Sequence, residues 1–276
     1  MIKYSVRLHG ADGYLPVACY PAIRNFPGGE TDAVLQPSST NIAQMRVTAT
    51  CDNSDEFMQL VMFLDAATRY YIGADIHLIL PYLPYARQDR VCNEGESLSV
   101  AVVANILNSF NLASVAVADA HSDVSLALLK NAINITAAEL FKHTLQWERI
   151  DVIVAPDAGA AKKAYTLAKM IGAECVVANK VRDTKTGNIT SITMDYAAVN
   201  GKRVAVVDDI CDGGRTFIEL SPYLAAADYK ILCVTHGIFS KGPELLTNVY
   251  DRVFTTDSRS PTRALAGVTV LREFFK

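Results

Sequence analysis

Short apolar runs recur along the chain, and polar or glycine-bearing stretches separate them. Runs of four to six residues rich in valine or isoleucine are typical of strands that are buried on both faces of a sheet. This pattern predicts strands at residues 76–80, 114–118, 152–155, 175–178, 203–207 and 231–235.

Longer segments between these strands have apolar residues three and four positions apart, which is the spacing of one helix face. This spacing predicts a helix over residues 57–64, with Ser54 as its N-cap, and another over residues 100–107. A third helix is predicted at residues 158–170, where Gly172 supplies a C-terminal stop.

The alternation of strands and helices predicts an α/β fold with parallel sheets. Ligands of open α/β sheets bind beyond the carboxyl ends of the strands, so the loops that follow the strands are the candidate site. We therefore expect two sheets that each contribute loops to a shared site, with a boundary near residue 140. The loops are PYLPYARQDR, DAHSD, PDAGA and DDICDGGRT.

Composition narrows the class of protein. The chain has 276 residues, is 50% hydrophobic and carries a net charge of −3, which argues against a nucleic-acid or membrane-surface protein. No apolar run approaches the ~18 residues that would span a bilayer, the N-terminus does not resemble a signal peptide, and the six cysteines form no C-x-x-C pair. We expect a cytoplasmic protein with reduced thiols.

The loop at residues 208–216, DDICDGGRT, combines acids with adjacent glycines. Gly213 and Gly214 would let backbone N–H groups point at an anion, and a helix over residues 216–226 would follow. Asp208 and Asp209 would repel a bare phosphate but can accept hydrogen bonds from the hydroxyls of a ribose. A sugar phosphate satisfies both halves, whereas the simpler alternative is an acidic turn that caps a helix.

This loop resembles the ribose-phosphate-binding loop of the phosphoribosyltransferase superfamily. The resemblance implies that Asp208 and Asp209 hold the ribose hydroxyls. It places the 5-phosphate of the ligand at Asp212, Gly213, Gly214, Arg215 and Thr216, although Arg215 replaces a small residue of the family pattern.

Residues 79–90, ILPYLPYARQDR, resemble the ATP-site segment of the ribose-phosphate pyrophosphokinase family, which makes phosphoribosyl pyrophosphate (PRPP). The resemblance implies that Arg87, Gln88, Asp89 and Arg90 bind ATP. Two arginines at a strand end can hold a polyphosphate through charge-assisted hydrogen bonds. A solvated charged turn is the alternative interpretation.

The loop DAHSD resembles the metal-binding D-x-H of the same family. The resemblance implies that His121 and Asp119 bind Mg²⁺ on the ATP phosphates and that His121 is also a catalytic residue. Because Mg²⁺ prefers oxygen ligands, His121 could instead donate a hydrogen bond to a phosphate.

The loop PDAGA resembles the family's P-D-x-G-G, which implies that Asp157 is a further metal ligand. Gly159 would free the backbone at the start of the helix that follows and so create a phosphate site. The second glycine of the family pattern is Ala160 here.

Two weaker matches complete the resemblance. FPGGE resembles the family's F-x-D-G-E, which flanks the adenine and comes from a neighbouring subunit; here the aspartate is replaced by glycine. ANKVRDTKTG resembles a mobile catalytic loop that opens with K-x-R, and Lys180 and Arg182 occupy those positions. The ATP-site residues implied by the first match are Phe26, Gly28, Gly29 and Glu30.

The resemblance implies two phosphoribosyltransferase-like domains, each a mainly parallel sheet flanked by helices. Residues 1–140 would bind ATP and residues 141–259 would bind ribose 5-phosphate, while the segment 260–276 is a candidate to pack with the first domain. The implied reaction is the Mg²⁺-dependent transfer of pyrophosphate from ATP to ribose 5-phosphate. The family also implies a homo-oligomer, either a dimer or a hexamer, and no nucleic-acid or membrane partner.

Three alternatives stay open. A phosphoribosyltransferase would keep DDICDGGRT and consume PRPP, but it would not need the RQDR segment. A non-catalytic regulatory relative would bind the ligands without turnover; the retained Lys180 and Arg182 argue against it, while Gly28 and Arg215 leave it open. The third alternative is a general nucleotide-binding protein, although no Walker loop or G-x-G-x-x-G is present.

Overall fold

The structure of the chain is a computed structural model. It describes residues 1–8, 10, 13, 19–36, 42–182, 189–259, 266–272 and 275, with the backbone alone for residues 180–182 and 189–191. The chain divides into two compact units. The first contains Met1–Ile135 with Ser258, Arg259 and Phe275, and the second contains Thr136–Asp257 with residues 266–272.

The first unit is built around a five-stranded sheet of order β1-β4-β5-β6-β7. Strand β1 is antiparallel to β4, and the other neighbours are parallel. The two short strands β2 and β3 form an antiparallel hairpin of their own. The elements are β1 (Ile2–Leu8), β2 (Ala22–Asn25), β3 (Thr31–Val34), β4 (Ile42–Ala49), α1 (Ser54–Tyr70), β5 (Asp75–Leu80), α2 (Ser99–Asn108), β6 (Ser114–Ala118), α3 (Asp123–Leu128) and β7 (Ala132–Ile135).

The core of the first unit contains the helix faces that the apolar spacing predicts. Leu60 and Leu64 of α1 and Val100 and Leu107 of α2 are fully buried against the sheet. The predicted N-cap Ser54 was wrong: Asn53 is the N-cap of α1, and its Oδ1 accepts the N–H of Glu56 at 2.9 Å. Asparagine and serine cap helices about equally well, so the sequence alone did not separate the two.

The second unit is built around a six-stranded parallel sheet of order β15-β14-β13-β12-β8-β9. The two strands β10 and β11 form a separate antiparallel pair. The elements are α4 (Ala137–Trp147), β8 (Val152–Ala155), α5 (Ala161–Ile171), β9 (Glu174–Val177), β10 (Asn179–Arg182), β11 (Ile189–Thr193), β12 (Arg203–Cys211), α6 (Arg215–Leu220), a 3-10 helix (Ser221–Leu224), β13 (Tyr229–Gly237), α7 (Glu244–Thr247), β14 (Arg252–Thr256) and β15 (Val268–Leu271).

The central strand β12 is longer than predicted. The apolar run ends at Val207, but the ladder with β13 continues until Cys211 pairs with Gly237. Asp208 and Asp209 therefore lie inside the strand rather than after it. Pairing with a neighbouring strand extends the element past the residues where its hydrophobicity stops, since backbone hydrogen bonds do not depend on the side chain.

Two helices also differ from their predicted bounds. The helix predicted at residues 216–226 is α6, Arg215–Leu220, and a 3-10 turn follows it because Pro222 has no N–H to continue the α-helical pattern. The helix predicted at residues 158–170 begins only at Ala161. Its predicted stop is confirmed, with Gly172 in the left-handed conformation at φ +76°.

The predicted fold class is confirmed: each unit has a mainly parallel sheet with helices packed against it. The sequence pattern missed nine of the described strands: β1, β2, β3, β4, β7, β10, β11, β14 and β15. In the part of the chain that the structure describes, no helix is long and apolar enough to cross a membrane.

Candidate functional site

The acidic end of β12 is a strongly perturbed electrostatic feature of the second unit. Asp209 is only 7% exposed, and its N–H donates to Oδ1 of Asp208 at 2.9 Å. Burial raises the pKa of the Asp208 carboxyl well above its ordinary value, and the neighbouring Asp209 and then Asp157 raise it further. Carboxyl groups held this close favour a ligand that brings hydrogen-bond donors or a cation.

Lys163 of helix α5 partly offsets this negative charge. Its Nζ lies 3.7 Å from Oδ2 of Asp209, and the lysine side chain is 25% exposed. The sequence analysis did not single out Lys163. The available signal was its position in the first turn of the helix that follows the PDAGA loop.

The glycine turn lies between β12 and α6. Gly214 has φ +76° and is the residue before the first turn of α6, a conformation that side chains with Cβ rarely adopt. Asp212 is held from outside the turn, because Oγ of Ser240 donates to its Oδ1 at 2.6 Å and the N–H of Ser240 donates to its carbonyl at 3.1 Å. The turn therefore has a fixed backbone shape.

The predicted phosphate ligand Arg215 points along its own helix. Its Nε lies 2.6 Å from Oε1 of Glu219, one turn ahead, and its side chain is 72% exposed. An exposed pair of this kind contributes little to stability, so a ligand could compete for the guanidinium at small cost.

The thiol nearest to the acids is not suited to nucleophilic chemistry. Burial raises the pKa of Cys211 to about 12, with further contributions from Asp208 and Asp212. At neutral pH the thiol stays protonated, and a protonated thiol is a poor nucleophile.

The PDAGA loop closes on itself as a turn ahead of α5 rather than leaving an open backbone site. Oδ1 of Asp157 accepts the N–H of Gly159 at 3.1 Å and the N–H of Ala160 at 3.3 Å. These are the groups that the sequence analysis expected to be available for phosphate. This turn occupies residues that were predicted to be helical, so α5 begins only after it, at Ala161.

In the first unit, the RQDR segment contributes to a cavity of about 330 Å³. Arg87 and Gln88 line it together with Tyr85, Ser99 and the loop between β4 and α1. Tyr85 has φ +62°, an uncommon conformation for a bulky residue, and its Oη lies 2.6 Å from Oγ of Ser54. Backbone strain of this kind clusters at ligand sites.

Arg259 supplies a further wall of this cavity, and the sequence analysis missed it. Its Nε lies 2.9 Å from Oδ1 of Asp52, and both side chains are only 12% exposed. Its guanidinium also lies 4.8 Å from the centre of the Tyr82 ring. No local sequence signal could have found this arginine, because the hydrogen bond to Asp52 joins residues 207 positions apart.

The other predicted ATP residues are not among the residues that line this cavity. Arg90 is exposed and Asp89 is half-buried beyond the Arg87–Gln88 turn. Phe26, Gly28, Gly29 and Glu30 form the exposed turn between β2 and β3, where the N–H of Phe26 donates to the carbonyl of Glu30 at 2.8 Å. Phe26 itself is 50% exposed, which is high for a phenylalanine.

Asp119 and His121 lie at the end of β6. Asp119 is 1% exposed and has φ +41°, and its N–H donates to the carbonyl of Ile135 at 2.7 Å. His121 is exposed, and the N–H of Ala120 between them donates to Oδ1 of Asn134 at 3.0 Å. The strained backbone and the buried carboxyl mark this loop as a functional candidate.

The donor chemistry of these loops fits Mg²⁺. Carboxylate oxygen is the ligand that Mg²⁺ prefers, and Asp119 and Asp157 each offer one carboxylate. Among the described residues, no three His, Cys, Asp or Glu side chains form a metal-binding group.

The predicted catalytic residues Lys180 and Arg182 lie in strand β10, which pairs antiparallel with β11. Their side chains and residues 183–188 lie outside the part of the chain that the structure describes. Their role remains a prediction.

Two family models match the chain. The model described as the N-terminal domain of ribose phosphate pyrophosphokinase matches residues 17–110, and the phosphoribosyl transferase domain matches residues 125–265. The chain is 31% identical to a ribose-phosphate pyrophosphokinase of Pyrococcus furiosus over 246 residues, which cover 86% of this chain and 85% of the relative. It is 30% identical to that of Cereibacter sphaeroides over 256 residues, covering 88% of this chain and 71% of the relative.

The fold is similar to that of phosphoribosylpyrophosphate synthetase from Mycobacterium smegmatis. The TM-score is 0.76 at 24% sequence identity, and the match covers 92% of this chain and 86% of that chain. At this identity the likeness establishes the fold.

Proposed function

The chain belongs to the ribose-phosphate pyrophosphokinase family, and we propose on that basis that it transfers the pyrophosphoryl group of ATP to ribose 5-phosphate, giving PRPP and AMP. The observation that carries the proposal is the presence of two different ligand loops in one chain. The first unit has the cavity lined by Arg87 and Gln88, and the second has the acidic strand end followed by the glycine turn. A phosphoribosyltransferase that consumes PRPP requires the second loop alone.

We assign ATP to residues 1–140 and ribose 5-phosphate to residues 141–259. Asp208 and Asp209 accept hydrogen bonds from the ribose hydroxyls, a role that suits carboxyl groups whose charges repel each other. The 5-phosphate lies in the turn from Asp212 to Thr216. Arg87 and Arg90 are suited to a triphosphate because guanidinium groups bind phosphate oxygens in pairs.

The reaction needs no protein nucleophile. The C1 hydroxyl oxygen of ribose 5-phosphate attacks the β-phosphorus, the bond from that phosphorus to the α,β-bridging oxygen breaks, AMP leaves with this oxygen, and the hydroxyl proton passes to solvent. Catalysis then consists of positioning and of neutralising charge. The protonated thiol of Cys211 fits a site that does not form a covalent intermediate.

Asp119 and His121 would bind Mg²⁺ on the ATP phosphates, and Asp157 would bind a second Mg²⁺. When bound, Mg²⁺ neutralises charge on the phosphates and lowers the repulsion that the attacking oxygen meets. Lys180 and Arg182 would stabilise charge on the transferring group, and their loop would exclude water from it.

We further propose a homo-oligomer in which the turn at residues 26–30 completes the adenine site of a neighbouring subunit. The support is the exposure of Phe26 on a hairpin whose other turn residues are also exposed. Light scattering should give the mass of a dimer or a hexamer, and Phe26→Ala should raise the KM for ATP without lowering the melting temperature. A monomer with full activity would contradict this assignment.

Phosphorus NMR of the purified protein with MgATP and ribose 5-phosphate tests the function. The expected spectrum shows AMP and a sugar-linked pyrophosphate appearing together. ADP with free phosphate, or binding of both ligands without turnover, would refute the proposed reaction; the second result would favour the regulatory relative.

Two variants test the assigned roles. Lys180→Ala should cut turnover by orders of magnitude while ribose 5-phosphate affinity stays nearly unchanged. Asp208→Ala should mainly weaken ribose 5-phosphate binding. A change in ATP affinity alone would mean that the sugar is wrongly placed.

A further inference from the structure

A lysine from a distant loop lies over the glycine turn of the second unit. A Cβ atom added to Gly213 would lie 3.5 Å from Cδ, 3.6 Å from Cε and 3.8 Å from Cγ of Lys241. The alkyl chain of Lys241 is therefore in van der Waals contact with this turn, and its ammonium group is one bond beyond Cε.

The segment that carries Lys241 has a fixed position. The N–H of Ile238 donates to the carbonyl of Cys211 at 2.8 Å, and Ser240 holds Asp212 through two hydrogen bonds. Phe239 is 5% exposed and has φ +47°, and its ring fills the space where a side chain on Gly237 would lie. A bulky residue keeps a left-handed backbone only where its surroundings impose it.

The charge of Lys241 is available to a ligand. Within the described part of the chain, no carboxylate lies at ion-pair distance from its ammonium group, whereas Arg215 is paired with Glu219. The acid nearest along the chain, Glu244, folds its carboxylate over Gly242. Lys241 is also exposed, so its ammonium group can reorient at small cost.

We propose that Lys241 binds the 5-phosphate of ribose 5-phosphate and that it helps the site select a phosphorylated ribose over free ribose. The proposal rests on the function proposed above, because it takes its ligand from that function. The backbone N–H of Gly213 would approach the phosphate from one side, and the Lys241 ammonium would approach it from above Gly213, while the N–H of Gly214 faces the Cys211 thiol. A phosphomonoester carries close to two negative charges at neutral pH, and an ammonium group stabilises them as a point charge.

Two substitutions of Lys241 separate charge from shape. Lys241→Met keeps an unbranched chain that can pack on Gly213 and removes the charge. Lys241→Arg keeps the charge on a chain of similar length. Lys202→Met removes an exposed lysine elsewhere in the second unit and serves as the matched control.

Titration calorimetry with ribose 5-phosphate, with free ribose as the second probe, tests the proposal. We expect Lys241→Met to weaken ribose 5-phosphate binding by about tenfold or more, which is the effect of losing one charge-assisted hydrogen bond. Lys241→Arg should stay within about threefold of the wild type, Lys202→Met should be unchanged, and the affinity for free ribose should not respond. The steady-state signature is a raised KM for ribose 5-phosphate with kcat retained, a split that a merely structural role would not produce.

Wild-type affinity in Lys241→Met, or equal losses in Lys241→Met and Lys241→Arg, would overturn the inference while leaving the proposed function intact. A wild-type protein that binds no ribose 5-phosphate would overturn both. Melting temperatures of the three variants within about 2 °C of the wild type would show that the fold is retained, as expected for surface substitutions.

Discussion

Replacing single glycines by alanine adds one methyl group, and comparing three glycines separates the cost of a left-handed backbone from the cost of a steric clash. Gly214 has φ +76°, and a Cβ there would lie 3.3 Å from both methyl carbons of Leu246. Gly172 has the same φ of +76° with nothing within 4 Å of its added Cβ. Gly213 has no positive φ, and its added Cβ meets only the Lys241 side chain at ordinary contact distance.

These three positions predict three different changes in stability on substitution by alanine. A left-handed conformation costs a residue with Cβ about 1–2 kcal/mol, and overpacking against a buried neighbour costs about 1–3 kcal/mol. Replacing glycine by alanine also stabilises the fold by about 0.4–1 kcal/mol, because alanine lowers the conformational entropy of the unfolded chain. Gly214→Ala should therefore lose about 2 kcal/mol and Gly172→Ala about 1 kcal/mol, whereas Gly213→Ala should gain up to about 1 kcal/mol.

Differential scanning calorimetry measures these changes as melting temperatures. For a unit of this size, ~1 kcal/mol corresponds to about 2–4 °C, so the expected drops are about 4–8 °C for Gly214→Ala and about 2–4 °C for Gly172→Ala. Ribose 5-phosphate binding should fall in Gly213→Ala although its stability does not. Equal melting temperatures for Gly214→Ala and Gly213→Ala would refute the conformational argument for this turn.

Three further predictions concern buried charge. Because burial and Asp209 raise the pKa of Asp208, the folded chain keeps a proton that the unfolded chain releases near pH 4. This group therefore destabilises the fold increasingly from about pH 4 up to its raised pKa, and by a constant amount above it. Asp208→Asn should therefore melt at a higher temperature than the wild type at pH 8 in EDTA, and the difference should vanish near pH 4; a constant difference would contradict the shift. Glu148 is 7% exposed and paired with Arg252. Glu148→Gln should lower the free energy of unfolding by about 2–3 kcal/mol, as measured by urea unfolding; the exposure of the arginine keeps this loss below that of a fully buried pair. Arg259→Met removes the guanidinium partner of the Asp52 carboxylate, which is only 12% exposed, and should lower stability by about 3 kcal/mol while weakening ATP binding; unchanged ATP affinity would remove this arginine from the ATP site.

The sequence by itself determined the fold class and the order of the candidate loops. The strands over residues 114–118 and 152–155 have the predicted bounds, because a run of buried β-branched residues defines a strand locally. The acids and glycines at residues 208–216 predicted a ligand loop from the sequence alone, because a turn of this kind depends on residues that are adjacent in the chain. Its ligand stays a prediction.

The tertiary structure decided which side chains surround these loops. Ser240 reaches Asp212 over 28 positions, and Arg259 reaches Asp52 over 207, so no local spacing contains either contact. The same holds for Lys163 beside Asp209 and for the ladder that carries β12 past its apolar run. Local propensity acts over a few residues, whereas charges and hydrogen-bond partners from other elements meet only when the sheet and its helices have packed.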